Sequence, residues 1–209
     1  MACVRSVNVG RPRQIAVRRG RPLMSAIGKQ PAAGRLRIAG DSVEGDAQAD
    51  LRVHGGPDKA VYAYAAEDAA WWEAALDREL GPGAFGENLT VEGIDVTGAR
   101  IGERWRAGTA ELEVCQPRLP CAKLGIRFGD PGMVRRFAEA GRPGAYLRVV
   151  TAGDVAAGDP VEVLSRPAHD VTVATVSRAI LFDDALLLPA AAAPALPAAL
   201  AHWMRERAA

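Results

Sequence analysis

The thiol of Cys121 lies in the segment Cys115-Gln-Pro-Arg-Leu-Pro-Cys121-Ala-Lys-Leu124, three residues after Arg118 and two before Lys123. Cations close to a cysteine favour the thiolate, the form that attacks electrophiles and binds soft metals. Pro117 and Pro120 cannot donate to a sheet or continue a helix, so the sulfur is expected on a loop rather than inside an element. An isolated cysteine is more often buried and inert. Two prolines and two cations around this one turn the expectation toward a cysteine that holds a metal cofactor.

A second cluster is Gly45-Asp46-Ala-Gln48-Ala-Asp50-Leu-Arg52-Val-His54-Gly55-Gly56-Pro57-Asp58-Lys59-Ala60. Two glycines followed by Pro-Asp build a tight turn whose backbone N–H groups can face a ligand closely. Such turns make anion-holding concavities, and Arg52, His54 and Lys59 add cationic donors around this one. A polyanionic small molecule such as a phosphorylated cofactor suits the pattern, although a Gly-Gly-Pro-Asp turn standing alone is usually a hairpin. A third segment, Phe85-Gly-Glu-Asn88-Leu-Thr90, places an Asn at the entry to a strand, where its amide offers donors and an acceptor. Only three of the 26 basic residues are lysines, Lys29, Lys59 and Lys123. A lysine kept where arginine is the habit marks a place that wants a compact charge, as phosphate sites do.

Composition narrows the ligand. A formal net charge of +1 and 5% aromatic residues argue against nucleic acid and acidic membranes. Three cysteines, Cys3, Cys115 and Cys121, are too few for a disulfide framework, and the sequence has no signal-peptide pattern and no apolar run of membrane-spanning length, which together point to the cytoplasm. Cys115, Cys121 and His54 lack zinc-knuckle spacing. A nucleophile elbow, a P-loop and a Gly-x-Gly-x-x-Gly turn are all missing, and no carboxylate cluster suggests a two-metal hydrolase.

The elements that must position these residues read as short strands between Gly, Pro and Asp turns. Strand candidates fall near residues 7–9, 35–39, 59–64, 87–92, 104–106, 110–114, 144–151 and 160–164, a spacing that suggests a closed or partly closed barrel. The basic stretch from Arg11 to Arg21 is expected as a solvated surface loop. One helix is expected over 67–80, with Trp72, Leu76 and Leu80 on one face, ended by Gly81-Pro82. Another has Asp130 as N-cap and Pro131 at its first position, and ends at Gly141. The fold class expected is mainly β with inserted helices (α+β): a barrel domain over 1–166 and a small three-helix domain over 167–209. The latter is too small for its own core and should dock on the barrel or on another subunit of a homodimer. Its Ala/Pro-rich stretch 190–199 has the composition of a linker.

Together, the segments from His54 to Lys59, from Phe85 to Leu89 and from Gln116 to Leu124, in this order, resemble the MOSC-domain family, most closely its YiiM-like branch. Ser25-Ala-Ile-Gly-Lys29 is similar to that branch's N-terminal motif, and the tail resembles its three-helix appendage. The resemblance implies a MOSC-type β-barrel binding a molybdenum cofactor, with Cys121 as protein ligand to the metal. It implies reduction of N-hydroxylated substrates, such as hydroxylamino bases, to amines. Three cysteines cannot supply the four thiolates of an ordinary iron–sulfur cluster, and no flavin or haem site is evident. Electrons are therefore expected from a partner, an NAD(P)H-linked flavoprotein. Within the resemblance, Lys29, Arg52 and Lys59 are candidates for the cofactor's phosphate or pterin. Asn88, Arg118 and Lys123 would contact pterin, metal oxo groups or substrate, and His54, Gly55 and Gly56 would shape the pocket. Two other roles for Cys121 stay open: carriage of the cofactor, or of sulfur as a persulfide, without turnover, and a structural zinc site.

Overall fold

The computed structural model describes residues 1–50 and 55–209. β1 (Cys3–Val9) buries Val4 and Val7 in the main core, while Ser6 and Asn8 are also buried, on a polar network. β2 (Arg13–Arg18) and β3 (Arg21–Ser25) form a hairpin that is a sheet of its own. The arginines there do not mark a loop, because Ile15, Ala16 and Leu23 are half-buried under them. Short β4 (Gln30–Pro31), β5 (Leu36–Ala39) and β6 (Ser42–Val43) follow.

After the 3-10 turn Pro57–Lys59 come β7 (Val61–Ala65), α1 (Ala66–Leu76) and β8 (Leu89–Glu92). β7 and β8 are parallel, which requires a crossover, and α1 is part of it. Glu67 and Asp68 sit at the positive end of α1, where their charge is favoured. The helix stops four residues short of the expected end, because Asp77 adopts the left-handed conformation (φ 49°) and Glu73 Oε1 accepts from Leu80 N at 2.8 Å, folding 77–80 back. Trp72 and Leu76 still face inward.

β9 (Arg104–Ala107) and β10 (Ala110–Pro117) lead to α2 (Ala122–Phe128), and α3 (Met133–Ala140) follows. Pro117 is therefore the last residue of a strand, paired with Ala145, where a missing N–H is tolerated. α3 begins two residues later than the sequence suggests. Asp130 Oδ1 accepts from Gly132 N at 2.8 Å, so its carboxylate caps a turn before the helix proper, and Gly141 (φ 64°) ends it as expected.

β11 (Ala145–Thr151), β12 (Gly153–Val155) and β13 (Val161–Ser165) complete the sheets. The large sheet has the order β13-β9-β10-β11-β7-β8-β1-β4. Cys3 also bridges Pro160, and Val4 N and Val161 N donate across to Asp159 O and Ala2 O, so β1 meets the entry to β13 and the sheet closes on itself. The fold is thus the expected mixture of a curled β-sheet with helices.

α4 (Val173–Leu181), α5 (Leu187–Ala191) and α6 (Ala198–Arg207) dock on this sheet. Val173, Val176, Leu187 and Met204 share one core with Val4, Ile101, Trp105 and Leu112. The Ala/Pro-rich stretch is packed, with Ala190, Ala191, Ala193 and Leu196 all buried. A second, aromatic core holds Tyr62, Tyr64, Trp72, Phe85, Phe128 and Phe137. It forms the floor on which the site rests.

Candidate functional site

Residues from six stretches of chain surround one cleft of about 300 Å³. Its walls come from the end of β3 and residues 26–29, from 46–49, from Phe85, Gly86 and Asn88, from 116–123, and from Lys59, Tyr62 and Tyr146. All three lysines and Arg118 line it, and the sole carboxylate among its described lining residues is Asp46.

Asp46 is spent within the protein. Its side chain is 3% exposed and makes an ion pair with Lys29, itself buried. The same carboxylate accepts from Gly10 N at 2.8 Å and from Asn88 Nδ2 at 2.9 Å. Burial lowers the pKa of Lys29, and the charge and hydrogen bond of Asp46 oppose that shift. Asn88 also donates to Asn8 O and accepts from Tyr62 N at 3.1 Å. Lys29, Asp46 and Asn88 therefore lock three walls together, and the amide of Asn88 has little left to offer a ligand.

The wall at 83–86 is held from behind. Buried Glu87 accepts from Gly83 N at 2.6 Å, Phe85 N at 3.0 Å and Thr90 Oγ1 at 2.9 Å, and Thr90 accepts from Asn8 Nδ2. Burial raises the Glu87 pKa against these hydrogen bonds. Gly86 has φ 81°, and a Cβ there would stand 2.9 Å from Ile27 Cγ1, so only glycine lets this loop close on residues 27–29.

Cys121 is half-buried at the N-cap of α2, between strand and helix, so the loop that presents it is only 118–121. Leu124 and Phe128, buried at i and i+4, fasten α2 to the aromatic core, and Gly129 (φ 66°) ends it. That spacing is a helix signal the prolines obscured. Lys123 is carried on the first turn.

Arg118 is the unusual group. It is 6% exposed, its guanidinium lies 5.0 Å from the Phe137 ring centre and 5.9 Å from that of Tyr62, and its Nη1 is buried with no hydrogen-bond partner among the described residues. No carboxylate pairs with it among the described residues. A buried cation left this way is set to meet an anion. Around it, burial raises the pKa of Tyr62 and Tyr146, keeping both hydroxyls protonated; Tyr62 donates to Pro143 O at 2.9 Å.

Lys59 lines the cleft half-buried, its pKa lowered by burial against the charge of Asp58. Gly55 and Gly56 do not line the cleft. Gly56, at φ 92°, instead turns the chain into the 3-10 turn that delivers Lys59. Arg52 and His54 lie outside the described residues. Cys115 is wholly buried, its sulfur near the carbonyls of Asp58, Glu113 and Tyr146, and burial pushes its thiol up to about 12. Among the described residues no three His, Cys, Asp or Glu side chains converge to hold a metal by themselves, and no helix is long and apolar enough to cross a membrane. Sequence reading gave no cleft role to Asp46, Gln116 or Tyr146, although the first two lie inside the segments it singled out; Tyr146 is brought in by the pairing of β10 with β11, which sets it opposite Gln116.

Residues 50–162 match the family model described as MOSC domain. The chain is 41% identical over 187 residues to the uncharacterized protein YflK of Bacillus subtilis, covering 90% of this chain and 84% of that one. It is 36% identical over 172 residues to protein YiiM of Escherichia coli, covering 79% and 75%. A protein named reductase from Gibberella moniliformis is 34% identical over 178 residues, 83% of this chain but 31% of that longer one. The crystal structure of YiiM from Geobacillus stearothermophilus superposes over the full length of both chains with a TM-score of 0.82 at 29% identity.

Proposed function

The chain belongs to the MOSC family, and on that premise we propose that its cleft holds a molybdenum cofactor through Cys121 and reduces N-hydroxylated substrates, such as hydroxylamino bases, to amines. The observation that carries this reading is the buried, unpartnered Nη1 of Arg118 in the cleft that Cys121 also lines. The donor set fits such a group: a thiol for a soft metal–sulfur bond, and Arg118, Lys59 and Lys123 for anionic oxygens. Reduction chemistry at one protein thiolate also agrees with the name of the fungal relative.

When bound, the cofactor would supply the two-electron chemistry, and the protein would supply binding, orientation and charge. Cys121 would ligate the metal from its short, helix-anchored loop. Arg118, held against the Phe137 and Tyr62 rings, would take an anionic oxygen without moving, which is how a preorganised donor stabilises charge best. Lys123 and Lys59 would neutralise the periphery. Lys29 would act through Asp46 and Asn88 to hold the walls rigid. Tyr146, kept protonated by burial, would donate rather than accept in the cleft.

Metal and pterin analysis of protein from a molybdate-fed, cofactor-competent host tests the reading, with Cys121→Ala and Arg118→Met beside the wild type. Stoichiometric molybdenum in the wild type, lost with Cys121→Ala, together with reduction of a hydroxylamino base, is the expected result. A cyanolysable sulfur on Cys121 without molybdenum would replace this reading by the sulfur carrier, and stoichiometric zinc would replace both.

A further inference from the structure

The hairpin of β2 and β3 carries local costs that no contact among the described residues offsets. No acidic residue precedes Asp41, whereas nine basic residues do. Of these, Arg5, Lys29, Arg35 and Arg37 each hold a carboxylate brought by the fold, from Glu92, Asp46, Asp159 and Asp154. Arg11, Arg13, Arg18, Arg19 and Arg21 are exposed, and none has an ion pair among the described residues.

At the tip, Arg18 stands directly opposite Arg21, a like-charge placement that destabilises a strand pair. Between them Arg19 has φ 51° and Gly20 φ 73°. A two-residue turn with both φ positive favours Asn-Gly, and an arginine there adds left-handed strain. Val17 and Met24, 64% and 40% exposed, leave apolar surface among the cations. Charges do protect an open strand edge from pairing. That need accounts neither for Arg19 in the turn nor for the exposed Val17 and Met24.

The foot of this hairpin is the cleft. β3 runs into residues 25–29, of which Ser25, Ala26 and Ile27 line the cleft, and β2 packs against α2, the helix that Cys121 begins. We propose that the hairpin, with Arg18, Arg19 and Arg21 at its centre, docks the acidic face of a reduced flavoprotein that supplies electrons to this cleft. The inference rests on the reductive reading above. Turning R–NHOH into R–NH2 and water breaks one N–O bond and consumes two electrons and two protons; a dihydroflavin releases both pairs as it is oxidised to flavin. Nucleic acid fits less well, since residues 10–28 contain no Phe, Tyr or Trp on which a base could stack. A small cationic patch with a modest apolar centre suits a weak, salt-sensitive encounter, as electron-transfer pairs make.

The test uses the full, cofactor-loaded chain, its Arg18→Glu/Arg19→Glu/Arg21→Glu variant, and two donors: reduced flavodoxin, an acidic flavin protein, and reduced methyl viologen, which needs no docking. With flavodoxin the variant is expected to lose about tenfold or more in rate, and the wild-type rate to fall steeply between about 20 and about 200 mM salt. With viologen, a small cation that the variant's added negative charge attracts rather than repels, the variant should be no slower than the wild type. Equal loss with both donors, or no loss with flavodoxin, overturns the proposal. If viologen supports no turnover in either protein, the reading of the cleft has failed, and the docking is judged by titrating flavodoxin onto each protein: salt-sensitive binding lost in the variant sustains it, and equal or absent binding ends it. Binding of duplex DNA or phosphatidylserine vesicles at physiological salt, lost in the variant while flavodoxin does not bind, assigns the hairpin to that partner instead.

Discussion

Replacing Asp46 by Asn keeps the shape of the cleft wall and removes one charge from a pair that is nearly sealed from water. Side chains of Lys29 and Asp46 are 8% and 3% exposed. Removing one partner of such a pair leaves a buried, uncompensated charge, which costs about 3–5 kcal/mol. For a chain of this size that is a fall of about 6–20 °C in the unfolding midpoint. Burial already lowers the pKa of Lys29, with Asp46 opposing, so removing Asp46 lowers it further. A lysine whose folded pKa lies below its unfolded value of about 10.5 carries fewer protons folded than unfolded between those two values. Stability of Asp46→Asn relative to wild type should therefore rise with pH between the variant's folded Lys29 pKa and the wild type's, and level off above the latter, where both proteins hold the lysine neutral. Urea unfolding followed by tryptophan fluorescence at about pH 7 and about pH 9.5 measures both effects. Adding Lys29→Met removes the stranded charge and should recover most of the loss, because an apolar pair often replaces a buried ion pair at little cost. A loss under about 1 kcal/mol, or a double variant no more stable than Asp46→Asn alone, would refute the claim that the stranded cation is the source.

Native alkylation with iodoacetamide near pH 8 should modify Cys121 and spare Cys115, whose thiol is buried and pushed up to about 12; peptide mass spectrometry reads the sites, and comparable labelling of both would contradict the packing. Gly86→Ala should cost about 2–4 kcal/mol, from left-handed strain plus the contact with Ile27, read as a lower urea midpoint at unchanged slope. Arg21→Glu should raise the thermal midpoint by about 1–4 °C by turning the Arg18 pairing attractive, while weakening flavodoxin binding; a lower midpoint would show that the arginine stabilises the hairpin. Arg118→Met should stabilise the ligand-free protein, or leave it unchanged, while abolishing the midpoint rise that bound cofactor gives the wild type; a large loss of ligand-free stability would make Arg118 a structural residue.

What could be read from the sequence was whatever is local. Alternation along 110–114 and 145–151 gave the strands, and the order of the Lys59, Phe85 and Cys121 segments gave the family, because each motif sits within a few residues of itself. The hairpin at 13–25 was hidden because arginines occupy its exposed positions and the half-buried Ile15 and Leu23 lie eight residues apart on different strands. α2 was hidden behind Pro120, although Leu124, Phe128 and Gly129 carried a helix and its stop. The stretch 190–199 has linker composition, yet alanines fit the tight space where α5 and α6 meet the sheet. Asp46 falls inside the Gly45–Ala60 cluster, but its role was hidden: its partner Lys29 is 17 residues away, and only the folded walls bring them together.

Two cations at this cleft are equally buried, and their opposite treatment says what each does. Lys29 and Arg118 are both 6% exposed. The fold gives Lys29 a carboxylate with further donors behind it, so an incoming anion would have to displace Asp46 from Gly10, Asn88 and Lys29 together. That makes Lys29 a rivet, and a poor ligand for phosphate. Among the described residues Arg118 receives the faces of two aromatic rings and no carboxylate, and one guanidinium nitrogen remains unsatisfied, at a cost of about 1–3 kcal/mol in the ligand-free protein. Rigidity alone would be served better by a carboxylate at that spot, as Arg142 receives from Asp68 on the far side of the same aromatic core. Leaving Arg118 unpaired makes sense when the missing partner arrives from solution. The hairpin arginines repeat the arrangement at the surface: where this chain leaves a cation without an internal acid, near this cleft, the acid belongs to something that binds.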